Sequence, residues 1–123
     1  MSVLELRVTT SRIGSDSYAV AVTGEMDLYS APKVRERLTD VIEAGARSVV
    51  VDLMGVSFLD SSGLGVLLSA SKALRTAGGE LVLAADDRRI LRVLEITGLG
   101  RTIHVEQSLV EAVEHVVDGR LAA

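Results

Sequence analysis

A run of β-branched residues, Val49-Val50-Val51-Asp52-Leu53, is followed a few residues later by Phe58-Leu59-Asp60-Ser61-Ser62-Gly63-Leu64-Gly65. A continuous apolar run of this kind reads as a strand buried on both faces, which requires a sheet covered by helices. The short connection after it delivers one carboxylate and two hydroxyls to the start of an apolar helical pattern. Orphan backbone N–H groups and the positive end of the helix dipole gather at such a start, so the position favours an anion. A serine there is either a plain helix cap or a place where a phosphate can be added and removed.

The rest of the chain fits around that strand. Val3–Val8 alternates apolar and polar residues and reads as a half-exposed strand, Ser11–Ser17 as a turn, and Tyr18–Val22 as the second strand of an antiparallel hairpin. After Gly24-Glu25-Met26-Asp27 a helix is expected from Ala31 to Ala44, capped by Ser30, with Ala31, Val34, Leu38, Val41 and Ile42 on one face and Gly45 as its stop. Strands and helices then alternate: strand Ser48–Leu53, helix Ser62–Ala77, strand Glu80–Ala85, helix Asp87–Thr97, strand Thr102–Val105 and helix Leu109–Val117. Ser108 and Glu111 form a capping box for the last helix, which Gly119 closes. Alternation of this kind implies parallel pairing through right-handed crossovers. The expected class is α/β, a four- or five-stranded, mostly parallel mixed sheet with about four helices packed against it.

With 123 residues the sequence fits one domain over 1–123, large enough to bury its own core, and a hydrophobic share of 48% suits a sheet covered on both faces. There is no cysteine, which excludes disulfides and thiolate metal sites. The apolar runs fall well short of the roughly 20 residues that span a bilayer, and Glu5 and Arg7 stand where a signal peptide would be apolar, so no membrane association and a cytoplasmic location are expected. A net charge of −4 and only three aromatic residues, Tyr18, Tyr29 and Phe58, leave no basic or stacking platform for nucleic acid.

The helix after Ser61 is apolar over an arc of roughly 220°, about twice what one buried face needs. Leu64, Leu67, Leu68, Ser71 and Leu74 form one stripe, and Val66, Ala70, Ala73 and Ala77 another on nearly the opposite side. The second stripe is either wedged against a neighbouring helix or exposed as a docking face for a partner, and the sequence leaves both open.

Leu59-Asp60-Ser61-Ser62-Gly63-Leu64-Gly65, with Gly24-Glu25-Met26-Asp27 upstream and Ile96-Thr97-Gly98-Leu99 downstream, resembles the anti-sigma factor antagonists, the small single-domain STAS proteins of bacteria. The resemblance covers essentially the whole chain and implies a partner-switching cycle. In that cycle the unphosphorylated protein binds an anti-sigma factor that is also an ATP-dependent serine kinase of the GHKL type, freeing a sigma factor. The kinase then phosphorylates the antagonist, and a PP2C-like phosphatase resets it. The resemblance makes Ser61 the phosphoacceptor, sets Asp60 beside the phosphate, and places Asp27 on the surface that contacts the kinase, with Ser62 and Gly63 completing the partner-binding segment. A STAS scaffold within a larger signalling assembly is the alternative the same motif allows.

Catalysis by the chain itself is not expected, and neither a cofactor nor a metal is. Asp60-Ser61-Ser62-Gly63 lacks the first glycine of a nucleophile elbow, and Gly63-Leu64-Gly65 lacks the third glycine of a dinucleotide loop. His104 reads as a packed or exposed strand position and His115 as a solvated helix position, and no His/Asp/Glu cluster shows metal-ligand spacing. An aspartyl-phosphate receiver built on Asp52 would need an acidic pair after the first strand to hold Mg²⁺, where Thr9-Thr10-Ser11 stands instead.

Overall fold

Val49, Val50 and Val51 are fully buried at the centre of the fold. Val49 and Val51 pack into one hydrophobic cluster and Val50 into a second on the other side, which is why the run has no polar alternation. The computed structural model describes residues 5–122. Its elements are β1 (Arg7–Arg12), β2 (Ser17–Met26), α1 (Ala31–Glu43), β3 (Ser48–Leu59), α2 (Ser61–Thr76), β4 (Glu80–Ala84), α3 (Arg88–Ile96), a 3-10 turn (Leu99–Arg101), β5 (His104–Glu106) and α4 (Leu109–Ala122). They form one five-stranded sheet in the order β1-β2-β3-β4-β5, with β1 antiparallel to β2 and the remaining pairs parallel.

Because the parallel strands advance in one direction, right-handed crossovers put α1, α2 and α3 on the same face. Their buried residues (Val34 and Leu38, then Val66, Leu67 and Leu74, then Ile90 and Leu94) share the larger core with β2, β3 and β4. The opposite face is covered by α4, whose Ala112 and Val116 pack on Val50, Val82 and Ala84. Valine, leucine, isoleucine and alanine, with Met26, thus fill both cores. No helix among the described residues is long and apolar enough to cross a membrane.

Three expectations from the sequence shift. The first strand runs Arg7–Arg12, from Arg7↔Thr23 to Arg12↔Tyr18, so Ser11 and Arg12 belong to it and the turn is confined to the residues between Arg12 and Ser17. Only Val8 of this edge strand is buried, so its sequence has no alternation to read. Val3 and Leu4, the start of the expected strand, lie outside the described residues. Secondly, β2 continues to Met26 and β3 to Leu59, so the residues after Leu53 are strand and not a short connection. Register shifts at Ala21/Thr23 and Gly24/Glu25 insert bulges, and the buried positions of β3 become Leu53, Val56 and Leu59 instead of every second residue. Gly24 sits at φ +112°, where a Cβ would come within 3.1 Å of the Glu5 carbonyl oxygen. Thirdly, β5 is His104–Glu106 because the 3-10 turn consumes the residues before it, and α4 runs past Gly119 to Ala122.

The helix starts largely follow the sequence. Asp87 caps α3, accepting from Arg89 N at 2.8 Å, and the side-chain hydrogen bond from Arg89 lowers its carboxyl to about 2. Ser108 Oγ accepts from Glu111 N at 3.0 Å at the start of α4. Ser30 precedes α1 but does not cap it: its hydroxyl accepts from Asp27 N at 2.9 Å and donates to the Glu25 carbonyl at 2.5 Å.

The tightest backbone approach is at the turn from α2 into β4. A Cβ on Gly79 would lie 1.5 Å from the Arg47 carbonyl oxygen, the atom that accepts from Glu80 N at 2.9 Å to begin the β3–β4 ladder. Gly79→Ala must therefore displace backbone, and is expected to cost at least the 1–3 kcal/mol or so of an overpacked core. A lowered urea midpoint with an unchanged m-value would show it.

Candidate functional site

The β3–β4 pairing stops at Asp52↔Ala84, whereas β2–β3 pairing continues to Met26↔Leu59. The two strands therefore project as a ribbon beyond the sheet, and the turns that leave their ends form one structure. Leaving β3, Asp60 adopts an extended conformation and caps α2: its Oδ1 accepts from Ser62 N at 2.9 Å and from Gly63 N at 3.2 Å. Its Oδ2 accepts from Leu28 N at 3.1 Å, across 32 residues of sequence, and its own N–H donates to the Met26 carbonyl at 3.2 Å. One carboxylate thus fastens the start of α2 to the turn after β2.

Asp27 organises that turn. Its Oδ1 accepts from Tyr29 N and Ser30 N, each at 2.9 Å. The Ser30 amide is the main reason its carboxyl sits below the ordinary carboxylate value. Both aspartates are half-buried.

Ser61 is the first residue of α2 and is exposed, and among the described residues nothing hydrogen-bonds its hydroxyl. The plain-cap reading therefore passes to Asp60. Of the first four amides of the helix, Asp60, Ser62 and Gly63 already have acceptors. Ser62 is half-buried. Gly63 is buried: a Cβ there would lie 2.6 Å from Leu59 Cδ1 and 3.1 Å from Met26 Cβ, so glycine lets the first turn of α2 rest on the ribbon. Asp27, Asp60, Ser61, Ser62 and Gly63 all belong to this one end of the sheet. The exposed member is Ser61.

Three apolar residues surround this end that the sequence did not single out. Leu28 is 64% exposed, Tyr29 90% and Phe58 47%. Leu28 and Tyr29 stand in the turn held by Asp27 and Asp60, and Phe58 precedes Leu59 at the end of β3. Tyr18, the remaining aromatic, packs against the core. Two of the chain's three aromatics thus stand exposed at this end of the sheet, and exposed large apolar side chains are a feature of docking surfaces. For Leu28 and Tyr29 the signal lay in their position, in a four-residue turn between two polar anchors, Asp27 and Ser30. The second stripe of α2 divides: Val66 and Ala70 are buried where α1 and α2 face each other, while Ala73 and Ala77 are exposed.

The histidines overturn one expectation. The His104 and His115 rings stack with centroids 3.9 Å apart and planes 11° from parallel, and Glu106 joins them in a cluster with ligand-like spacing. Linear spacing could not show it, because a strand and a later helix bring the residues together. The cluster lies on the face that α4 covers, away from α2.

The geometry defines a small α/β domain that presents an exposed serine on a carboxylate-braced helix start, at the end of the sheet where large apolar side chains are also exposed. A family model described as the STAS domain matches residues 8–112. The anti-sigma-B factor antagonist of Staphylococcus aureus (strain NCTC 8325 / PS 47) is 41% identical over 90 residues, which is 73% of this chain and 83% of that protein. The anti-sigma-B factor antagonist of Listeria monocytogenes serovar 1/2a (strain ATCC BAA-679 / EGD-e) is 43% identical over 93 residues, 75% of this chain and 81% of that one. The crystal structure of an anti-sigma factor antagonist from Mycobacterium paratuberculosis matches with a TM-score of 0.78 at 26% identity, covering 91% of this chain and 94% of that chain. The chain belongs to the STAS domain family, among its anti-sigma factor antagonists.

The roles of the two residues at the start of α2 separate by mutation. Asp60→Ala removes the cap and the tie to Leu28, and is expected to cost about 0.5–2 kcal/mol. Ser61→Ala removes no hydrogen bond and should stay within about ±0.5 kcal/mol of the parent protein in the same denaturation series.

Proposed function

We propose that the chain works by partner switching: in its unphosphorylated form the surface around Ser61 binds an anti-sigma factor that is also a serine kinase of the GHKL type, which frees a sigma factor. Phosphorylation of Ser61 ends the interaction, and a PP2C-like phosphatase restores it. On this reading residues 1–123 act as one cytoplasmic domain with no catalysis of its own. The observation that carries it is the Ser61 hydroxyl, exposed and free of hydrogen bonds among the described residues, at the end of the sheet where Leu28, Tyr29 and Phe58 are also exposed.

The site's electrostatics suit such a switch. A phosphate adds about −1.5 to −2 charge. The helix dipole tolerates an anion at this end. However, the amides of Ser62 and Gly63 are already bonded to Asp60, so they cannot also absorb the phosphate. The new charge stands at the surface beside Asp60, and the braces beneath it leave the fold in place. A partner that packs on exposed apolar side chains and a neutral hydroxyl then meets a dianion, which costs it desolvation and repulsion.

Incubation with the anti-sigma kinases of the same genome and ATP tests the assignment. Intact mass should show a single added phosphate on the parent protein and none on Ser61→Ala. A phosphate mapped to Ser62, or to Ser57, whose Oγ lies 3.5 Å from the Gly24 carbonyl, would overturn it. Ser61→Asp should keep its melting temperature while losing about tenfold or more in affinity for the kinase, roughly 1.4 kcal/mol. Binding as tight as the parent's would mean that charge is not the switch.

Asp27→Asn isolates the second carboxylate. An amide oxygen can still accept from Tyr29 N and Ser30 N, so the turn should hold while its charge disappears. Several-fold weaker kinase binding or slower phosphorylation is expected by titration calorimetry and by phosphorylation rate. Unchanged values would leave Asp27 as a residue of the turn alone.

A further inference from the structure

The His104–Glu106–His115 cluster is used by nothing described so far. His104 and Glu106 lie two residues apart on β5 and so point to the same side of the strand, and His115 comes down from α4 onto that side. One ring nitrogen of each histidine and a carboxylate oxygen of Glu106 all lie within 4.8 Å of one another. His104 Nε2 is 2.5 Å from Glu106 Oε2, and His115 Nε2 is 3.1 Å from Glu80 Oε1 at the start of β4. The Glu106 carboxyl is held below its ordinary value, first by the bond to His104 and further by the Glu111 side chain and His115.

Two carboxylates, Glu80 and Glu106, thus face the two imidazoles. Among the described residues no lysine or arginine forms an ion pair with either of them. The cluster is rich in negative charge and in borderline nitrogen donors, and the chain has no thiolate to compete for a softer ion. We propose that His104, His115 and Glu106 bind one divalent transition-metal ion of the Zn²⁺ type, clasping α4 to the edge of the sheet, with water completing the coordination.

Two imidazole nitrogens and one carboxylate are a common protein ligand set for such an ion. A tetrahedral ion with bonds of about 2.1 Å separates its ligand atoms by about 3.4 Å, so the 2.5 Å contact between His104 and Glu106 must open while the widest separation, at most 4.8 Å, closes. Their partial exposure (40% for His104, 25% for Glu106 and 34% for His115) leaves room for that movement and for solvent. A metal lies in the plane of each imidazole it binds, so loading must tilt the stacked rings apart. With Glu80 on His115 Nε2, the ion would take Nδ1, and a carboxylate behind a ligand imidazole fixes its orientation. The ion would bind the folded protein and not the unfolded one, since its ligands come from two elements that only the fold brings together. The site sits on the opposite face of the sheet from α2 and does not depend on any role for Ser61.

Titration of the full chain, free of any affinity tag, with Zn²⁺ alone is the test. Calorimetry should give one ion per chain with a micromolar dissociation constant, and excess Zn²⁺ should raise the melting temperature by several degrees. His104→Gln and His115→Gln, which keep a polar side chain of similar reach, should each weaken binding at least tenfold. Glu80→Gln should weaken it by a smaller factor. Circular dichroism of the metal-free variants confirms that the fold is retained, and Co²⁺ absorption in the visible region reports the ligand set independently of stability. The absence of saturable binding would overturn the site, as would binding that survives both histidine substitutions together.

Discussion

The Asp60 carboxylate is the contact on which this end of the molecule depends. With two oxygens it satisfies the Ser62 and Gly63 amides at the start of α2 and the Leu28 amide in the turn after β2. An unmet backbone amide in a half-buried site costs about 1–3 kcal/mol, so an apolar replacement would leave several such groups competing for water. The same bonds set geometry. With Asp60 as the cap, Ser61 is fixed as the first helical residue, facing outward with an unengaged hydroxyl.

That cap works because the ribbon beneath it is rigid and closely approached. β2 and β3 extend beyond the sheet only by accommodating two register shifts, and glycines stand where their backbones come near other chain segments. Gly55 faces Thr23, whose Oγ1 would lie 2.9 Å from an added Cβ, and Gly63 faces Leu59 and Met26. The buried face of α2, from Gly63 through Val66, Leu67, Ala70 and Ser71 to Leu74, then locks the helix axis onto the core. A site at the C-terminal ends of parallel strands is a general outcome of α/β architecture. Here it presents exposed apolar side chains and carboxylates beside an exposed serine, which suits a protein partner.

Much of this was legible in the sequence, and the failures have physical causes. The Val49–Leu53 run, the Ser108–Glu111 capping box and the spacing of Val34, Leu38 and Val41 are local patterns, and the sheet and helices they predict are present. Asp60 and Ser61 stood out at a strand–helix junction as either a plain cap or a phosphate site, and the family resemblance is what singled out Ser61. What was lost is what depends on pairing. β1 was misplaced because an exposed edge strand carries no periodicity, and β3 was cut short because bulges changed its burial period from two to three. Ser30 has the residue type of a cap, but its hydroxyl is taken by Asp27 N and the Glu25 carbonyl. The stacking of His104 on His115 depends on α4 crossing the edge of the sheet, which no window of local sequence contains.

The two sides of the sheet are built for different work. Three crossover helices seal one face with the larger core, so the start of α2 is held without any help from the last helix. The other face is closed by α4 through a smaller cluster of Val50, Val82, Ala84, Ala112 and Val116, supplemented at its edge by the contacts of His115 with His104 and Glu80. Apolar burial there is modest, since alanine supplies two of those five residues and removes little surface from water. The polar cluster at the rim therefore adds to an attachment of α4 that its small apolar cluster leaves modest, whereas α2 has both the larger core and the Asp60 cap.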